Sequence, residues 1–122
     1  MKKLLIVPLA LTSGALVASH APAALSHQTA NILKITAPKS GLRFGQNKMS
    51  AKAGRIQLVF TNLSPLHHNV RIELGEHELG GTKTIGHGTT TALVVLKRGA
   101  YHFYCSVPGH EDAGMSGRLI VS

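Results

Sequence analysis

The feature that most constrains this chain is a run in which three side chains with metal-binding atoms follow one another at equal spacing. Cys105 is the only cysteine; four residues separate it from His110, and four more separate His110 from Met115. Pro108 and Gly109 predict a turn between the first two. A thiolate, an imidazole and a thioether on one loop suit a soft or borderline metal, copper above all. With one further histidine, they make the donor set of a blue copper electron-transfer site.

The missing histidine must come from another part of the chain, and the His67-His68 pair offers it. In residues 70–74, Val70 and Ile72 alternate with charged residues, as in a half-buried strand. His68 has the parity of Val70 and is therefore expected to point with the apolar face. His67 has the opposite parity and is the alternative ligand. The predicted metal ligands are His68, Cys105, His110 and Met115.

These residues resemble the cupredoxin family, the plastocyanin and azurin group of small blue copper proteins. The resemblance rests on the segments Tyr101-x-Phe-x-Cys-x-x-Pro-Gly-His110, Gly114-Met-x-Gly-x-Leu-x-Val121 and His68-Asn69. It covers nearly all of the chain after residue 30. The spacing from cysteine to histidine is longer than in plant plastocyanins and is similar to that of rusticyanin and auracyanin. The resemblance implies one type 1 copper ion that alternates between Cu(I) and Cu(II).

Short apolar or alternating segments with frequent turn signals predict an all-β protein of seven to eight strands. No stretch has a convincing helical period, so an antiparallel sandwich is expected. The resemblance implies the same architecture, a Greek-key β-sandwich with the copper at one end. The predicted strands span residues 32–37, 42–51, 55–62, 70–74, 89–96, 100–105 and 117–122. Residues 82–85 are predicted as a short edge strand, which would be the eighth strand, and residues 75–81 as a loop.

The resemblance also implies what surrounds the metal. The Asn69 side chain is expected to bridge the two ligand loops near Ser106, and its backbone N–H to approach the sulfur of Cys105. The imidazole edge of His110 is expected to reach the surface inside a ring of small apolar residues. That ring is predicted to comprise Pro65, Leu66, Pro108, Ala113 and Gly114.

The first 23 residues have the pattern of a secretory signal peptide. Lys2-Lys3 precedes the mostly apolar segment 4–17, and Ala21-Pro22-Ala23 fits a small-residue cleavage site. The apolar run is short for a membrane span, which needs roughly 20 residues; an uncleaved anchor is the alternative. The protein is therefore expected to be exported, in the periplasm or elsewhere outside the cytoplasm, with no transmembrane segment in the mature chain. The predicted division is 1–23 signal peptide, 24–30 N-terminal tether and 31–122 cupredoxin domain.

The leading functional expectation is a monomeric one-electron carrier between redox proteins, not an enzyme. The formal net charge of +8 comes from scattered basic residues. In an exported protein, a scattered positive charge argues against nucleic acid as the partner. It favours an acidic redox partner, such as a cytochrome or a terminal oxidase or reductase. Three further histidines, His77, His87 and His102, and the five acidic residues are expected to be solvated surface groups.

Three other functions compete with this expectation. Copper storage or delivery is the main alternative, although three ligands held in one loop favour a retained metal. A fragment of a multicopper oxidase or nitrite reductase would need more copper-binding histidines, and the chain has no His-x-His pair. A dinuclear copper site would need a second cysteine, and the chain has only Cys105.

Overall fold

The computed structural model describes residues 31–122, together with residues 3, 14 and 15. The expected signal peptide and tether, residues 1–23 and 24–30, lie outside the described residues apart from these three positions, and their boundaries stay predictions. No helix of the described residues is long and apolar enough to cross a membrane. The described strands are β1 Asn31–Ala37, β2 Lys48–Ala51, β3 Gly54–Asn62, β4 Arg71–Leu74, β5 His77–Gly81, β6 Gly88–Leu96, β7 Gly99–Tyr104 and β8 Ser116–Val121.

The eight strands form two sheets that face each other. One sheet has the order β1-β3-β6 and the other has the order β2-β8-β7-β4-β5. The all-β sandwich is confirmed, but its pairing is mixed, because β1 pairs with β3 and β2 pairs with β8 in parallel. The β1–β3 pair is parallel because the chain leaves the first sheet to form β2 and then returns, so β3 lies beside β1 in the same direction.

The core forms where the inward faces of the two sheets meet. In β3, Ile56, Leu58 and Phe60 alternate with half-buried residues and are themselves completely buried. Phe44, which lies outside the strands, packs between Phe60 and Phe103 with ring centroids 6.2 Å and 5.6 Å away. Burial of such a side chain contributes about 1.5–3 kcal/mol relative to its exposure. Phe44 thus contacts both sheets, since Phe60 belongs to β3 and Phe103 to β7.

Three predicted elements differ from the observed ones. Of the predicted strand 42–51, only β2 is a strand, because the chain bends where the Gly45 N–H donates to Thr36 O over 2.7 Å. The predicted loop 75–81 contains β5, which forms a hairpin with β4. The predicted edge strand 82–85 is instead an extended segment with a single bridge, between Ile85 and His68.

Candidate metal centre

Cys105 directly follows β7, whose inward residues set its direction. Tyr101 and Phe103 are buried, and Cys105 continues their alternation with no exposed surface. Its thiol forms no disulfide. The Cys105 backbone N–H donates to the carbonyl of Met115 over 3.0 Å. The end of β7 therefore places the thiol inside the sandwich. The backbone of Cys105 is bonded to the far end of the loop.

The loop from Cys105 to Met115 folds back on itself through its own backbone. The His110 N–H donates to Val107 O over 3.0 Å, and the Met115 N–H donates to His110 O over 3.0 Å. Gly109 and Gly114 have φ of 81° and 108°, in the left-handed region that glycine adopts without steric cost. These turns return His110 toward Cys105 and leave Met115 completely buried.

His68 enters the site from the other side. Its backbone exchanges two hydrogen bonds with Ile85, of 3.0 Å and 2.9 Å. The bridge fixes the direction of the side chain, and the imidazole has no exposed surface. His67 is exposed. The inward direction expected for His68 from strand parity is therefore the one observed, although a two-residue bridge and not β4 itself imposes it.

Three donor atoms converge on one point. The Nδ1 atoms of His68 and His110 are 3.1 Å apart, and the sulfur of Cys105 lies 3.9 Å from the first and 3.6 Å from the second. A point equidistant from all three lies about 2 Å from each, close to the length of metal bonds to imidazole and thiolate in proteins (roughly 2.0–2.3 Å). One thiolate and two imidazoles in this arrangement fit a copper ion.

Ser64 orients the buried imidazole of His68. Ser64 Oγ lies 3.2 Å from His68 Nε2 and accepts a hydrogen bond from the Leu66 N–H over 3.0 Å. With the proton on Nε2 donated to Ser64, the lone pair of Nδ1 points at the site. Burial lowers the pKa of His68 below its usual value, and the neighbouring His110 and His67 lower it further. The ring is therefore held neutral, which is the form that binds metal.

Asn69 joins the two ligand segments, as the resemblance led us to expect. Its Nδ2 donates to Ser106 Oγ over 2.7 Å and to Thr84 Oγ1 over 2.8 Å, and its Oδ1 accepts from the Ser106 N–H over 2.8 Å. The side chain is almost fully buried. The expected approach of the Asn69 N–H to the sulfur of Cys105 stays a prediction.

Asn62, at the end of β3, supports the His68 segment from below. Its Nδ2 lies within hydrogen-bond distance of the carbonyls of Leu66, Ile85 and Gly86, and its Oδ1 accepts from the Ser64 N–H over 2.9 Å. Sequence reasoning did not identify Asn62, Ser64 or Thr84. The one available signal was that Asn62 occupies an inward position of β3, where a polar residue needs hydrogen-bond partners.

His110 is half-buried, and the residues expected to ring it are all exposed. Leu66, the largest of them, has 50% of its surface accessible to solvent. Glu111 and Asp112, which follow His110 directly, are exposed as well and bring negative charge to this end of the protein. The surface beside His110 thus combines apolar and acidic groups.

Comparison with solved structures identifies similar folds among blue copper proteins. Auracyanin from Roseiflexus castenholzii is 23% identical with a TM-score of 0.70, over 77% of this chain and 98% of that one. Auracyanin A from Chloroflexus aurantiacus, described as a "blue" copper protein, is 19% identical with a TM-score of 0.70, over 77% and 100%. Rusticyanin is 18% identical with a TM-score of 0.62, over 77% and 81%.

These identities are low, so the structural likeness shows the fold alone. No curated protein matches the chain by sequence. The family model for copper binding proteins of the plastocyanin/azurin family, however, matches residues 31–122, which is most of the chain and all of its sandwich. That match confirms the resemblance and copper as the cofactor. The chain belongs to the plastocyanin/azurin family of copper binding proteins.

Proposed function

We propose that this protein is a type 1 copper one-electron carrier that acts between redox proteins outside the cytoplasm. The observation that carries the proposal is the convergence of His68, Cys105 and His110 on one point. We further propose Met115, buried and bonded through its backbone to Cys105 and His110, as the weak axial ligand. Copper held by this donor set supplies reversible one-electron exchange.

The residues around the ligands suit an electron carrier because they restrict movement. Asn69 holds the Cys105 and His68 segments together, and Ser64 fixes the orientation of the His68 ring. A site that cannot rearrange must accept both oxidation states in nearly one geometry, which keeps electron exchange fast. The buried sulfur and imidazole also exclude water from the thiolate.

We propose that the protein is not an enzyme, because the predicted ligands leave no position for a substrate. A catalytic metal site keeps one coordination position open to water or substrate. Here Cys105, His68 and Met115 have no exposed surface, and His110 is half-buried. Electrons, but not a substrate molecule, can pass through such a covered site.

We propose that electrons leave through His110 to a partner that docks on the exposed apolar residues around it. A small apolar patch suits brief contacts, in which the two redox centres approach and then separate. Basic residues away from Glu111 and Asp112 give the chain a formal net charge of +8, or +6 without residues 1–23, which favours an acidic partner, such as a cytochrome or a terminal oxidase or reductase. Such steering raises the association rate more than the affinity. The carrier is proposed to act as a monomer.

The visible spectrum of the copper-loaded protein tests the proposed site. We expect an intense thiolate-to-copper charge-transfer band toward the red end of the spectrum. Cys105→Ser and His68→Ala should abolish the band while the sandwich stays folded, and His67→Ala should retain it. A colourless wild-type protein with one bound copper would refute the assignment. Loss of the band in His67→Ala but not in His68→Ala would show that His67 is the ligand.

The dependence of electron transfer on salt tests the proposed partner. The rate with an acidic cytochrome should fall as salt rises, because the Debye length shrinks to about 8 Å at physiological ionic strength. Ala113→Glu should slow transfer without changing the copper spectrum. A transfer rate that changes neither with salt nor in Ala113→Glu would show that electrons leave the protein at another position. Efficient transfer of copper itself to an apo-protein would instead favour copper delivery.

N-terminal sequencing of the exported protein tests the proposed location and domain boundary. Cleavage after Ala23 would leave Ala24 as the first residue. Recovery of the uncleaved chain in the membrane fraction would instead show that the segment before residue 24 is an anchor. Neither result tests the copper site, which the visible spectrum tests separately.

A further inference from the structure

A second group of metal-binding side chains lies on the outer face of the five-stranded sheet. Glu73 of β4 and His102 of β7 are register partners on neighbouring strands. Both point outward, because the adjacent Ile72 and Phe103 are buried in the core. Glu111 reaches back from the copper loop, and its Oε1 lies 2.8 Å from His102 Nε2. One ligand atom from each of the three residues lies within 4.8 Å of the other two.

The position of this group coincides with an unusual distribution of charge. The chain has only five acidic residues against 13 basic ones, and all five lie between positions 73 and 112. Arg71 forms an ion pair with Glu78. Among the described residues, the carboxylate of Glu73 has no Lys, Arg or His partner in an ion pair. The carboxylates of Glu73 and Glu111 thus lie within 4.8 Å of each other in an otherwise basic protein.

Tyr104 orients the histidine. Its ring stacks on His102, with centroids 5.7 Å apart and planes 13° from parallel. The stacked ring limits the rotation of His102, so its Nε2 stays directed at Glu111.

We propose that Glu73, His102 and Glu111 form a binding site for a second metal ion, a divalent transition metal such as Zn²⁺. One imidazole nitrogen and two carboxylate oxygens are ligands that zinc accepts, with water completing the shell. A tetrahedral ion with bonds of about 2.0–2.2 Å holds its ligands roughly 3.5 Å apart, which these side chains reach with small movements. Mg²⁺ and Ca²⁺ prefer oxygen ligands alone and in larger number, so they fit less well.

The ion would add a link between the copper loop and the outer face of the sheet, where Glu111 otherwise contacts His102 through one exposed ion pair. Glu111 directly follows His110 in the copper loop, whereas Glu73 and His102 belong to the sheet. An exposed pair such as His102–Glu111 contributes little to stability, so this contact alone holds the loop to the sheet weakly. A shared metal ion would fix the loop to the sheet without using any of the predicted copper ligands.

Zinc titration of the copper-loaded protein tests the proposal. Calorimetry on the Cu(I) form should show one Zn²⁺ bound per chain, with copper retained, and NMR should show shifts centred on residues 73, 102 and 111. Glu73→Gln and His102→Gln should each weaken binding by at least about tenfold. Glu76→Gln and His87→Gln, matched changes at exposed positions outside the group, should leave it within about twofold. Mg²⁺ should not compete.

Glu73→Gln is the decisive variant, because it leaves the His102–Glu111 pair in place. If it binds zinc as tightly as the wild type, the group is only an ion pair and the proposal is wrong. Absence of binding at millimolar Zn²⁺, or shifts centred on other histidines, would also overturn it. The copper spectrum is recorded on the same samples, so failure of this site and failure of the proposed copper function are separate observations.

Discussion

Asn69 and Ser106 bind each other through two hydrogen bonds, one in each direction. The Asn69 amide nitrogen donates to the Ser106 hydroxyl over 2.7 Å, and the Ser106 backbone N–H donates to the Asn69 amide oxygen over 2.8 Å. Each residue directly follows a predicted copper ligand, His68 or Cys105. The pair therefore fixes the distance between two ligands that are 37 positions apart in the chain.

Asn69→Ala should destabilise the protein without metal, because it leaves both Ser106 groups and the Thr84 hydroxyl without this partner. We expect a loss of about 1–3 kcal/mol in the free energy of unfolding, measured with urea. Thr84→Ala removes only one of the three bonds, at a residue that is itself exposed, and should cost less. Equal losses in the two variants would show that the link to Ser106 contributes nothing of its own.

Ser64→Ala should weaken copper binding while the colour is retained. The variant leaves the buried Nε2–H of His68 without its partner, so the ring is less firmly held in the tautomer that presents Nδ1. Loss of such a partner reduces metal affinity by about 10–100-fold. Competition with a chelator measures the change, and Ser40→Ala, at an exposed position, should be neutral. An unchanged affinity would mean that packing alone orients His68.

Met115→Leu should retain copper and raise its reduction potential. Removing a weak sulfur donor destabilises Cu(II) more than Cu(I), and leucine keeps the site dry. Met49→Leu is the matched control, because Met49 packs against the core from β2. Voltammetry should show no shift in the control. A potential that is unchanged or lower in Met115→Leu would exclude Met115 as the axial ligand.

The apo-protein should lose stability as the pH falls below 6.5, in part through His68. Its pKa is lowered in the folded state, so acid protonates His68 in the unfolded chain first and favours unfolding. The loss begins at the unfolded value of about 6.5 and ends at the lowered folded value, with a slope of at most about 1.4 kcal/mol per pH unit. Urea unfolding of His68→Gln across this range should show a smaller slope. Equal slopes in the wild type and in His68→Gln would contradict the prediction.

Gly117→Ala should destabilise the sandwich because its Cβ has no room. Gly117 lies opposite Phe103 in the sheet, and a Cβ there would be 2.2 Å from the Phe103 ring and 2.7 Å from the carbonyl of Asn47. Overpacking of this kind costs about 1–3 kcal/mol. Gly45→Ala, whose Cβ would come no closer than 3.5 Å to any atom, should cost less in the same urea measurement.

The parts of the fold that could be predicted are those whose periodicity is determined by burial. The strands around Phe60, Val94 and Phe103 have one face in the core, so their alternation is visible in the sequence. Strand β5 was missed because it lies at the edge of its sheet, contains Gly80 and Gly81 and buries almost nothing. The parallel pairing was also missed, since alternation within a strand carries no information about its neighbours.

The copper site shows the same difference between features that a local sequence pattern predicts and features that only the folded chain shows. Cys105, His110 and Met115 could be predicted because one loop carries them at a characteristic spacing, and His68 because a strand pattern follows it. Ser64 and Thr84 are common polar residues in loops, and only the folded chain brings them to His68 and Asn69. Glu73 and His102 were predicted only as solvated surface groups. The strand register places them side by side, and no single segment of the sequence encodes that register.

The parallel pairing of β2 with β8 makes this sheet depend on contacts between distant parts of the chain. In the five-stranded sheet, residues 48–51 have their partner in residues 118–121, so β2 is synthesised long before the strand it binds. Met115 stands directly before β8, and its carbonyl accepts the hydrogen bond that closes the loop onto Cys105. Pairing between such distant residues slows folding. A chain whose synthesis has not yet reached β8 lacks the strand that follows Met115, so a metal ion that arrives during synthesis meets an incomplete set of ligands.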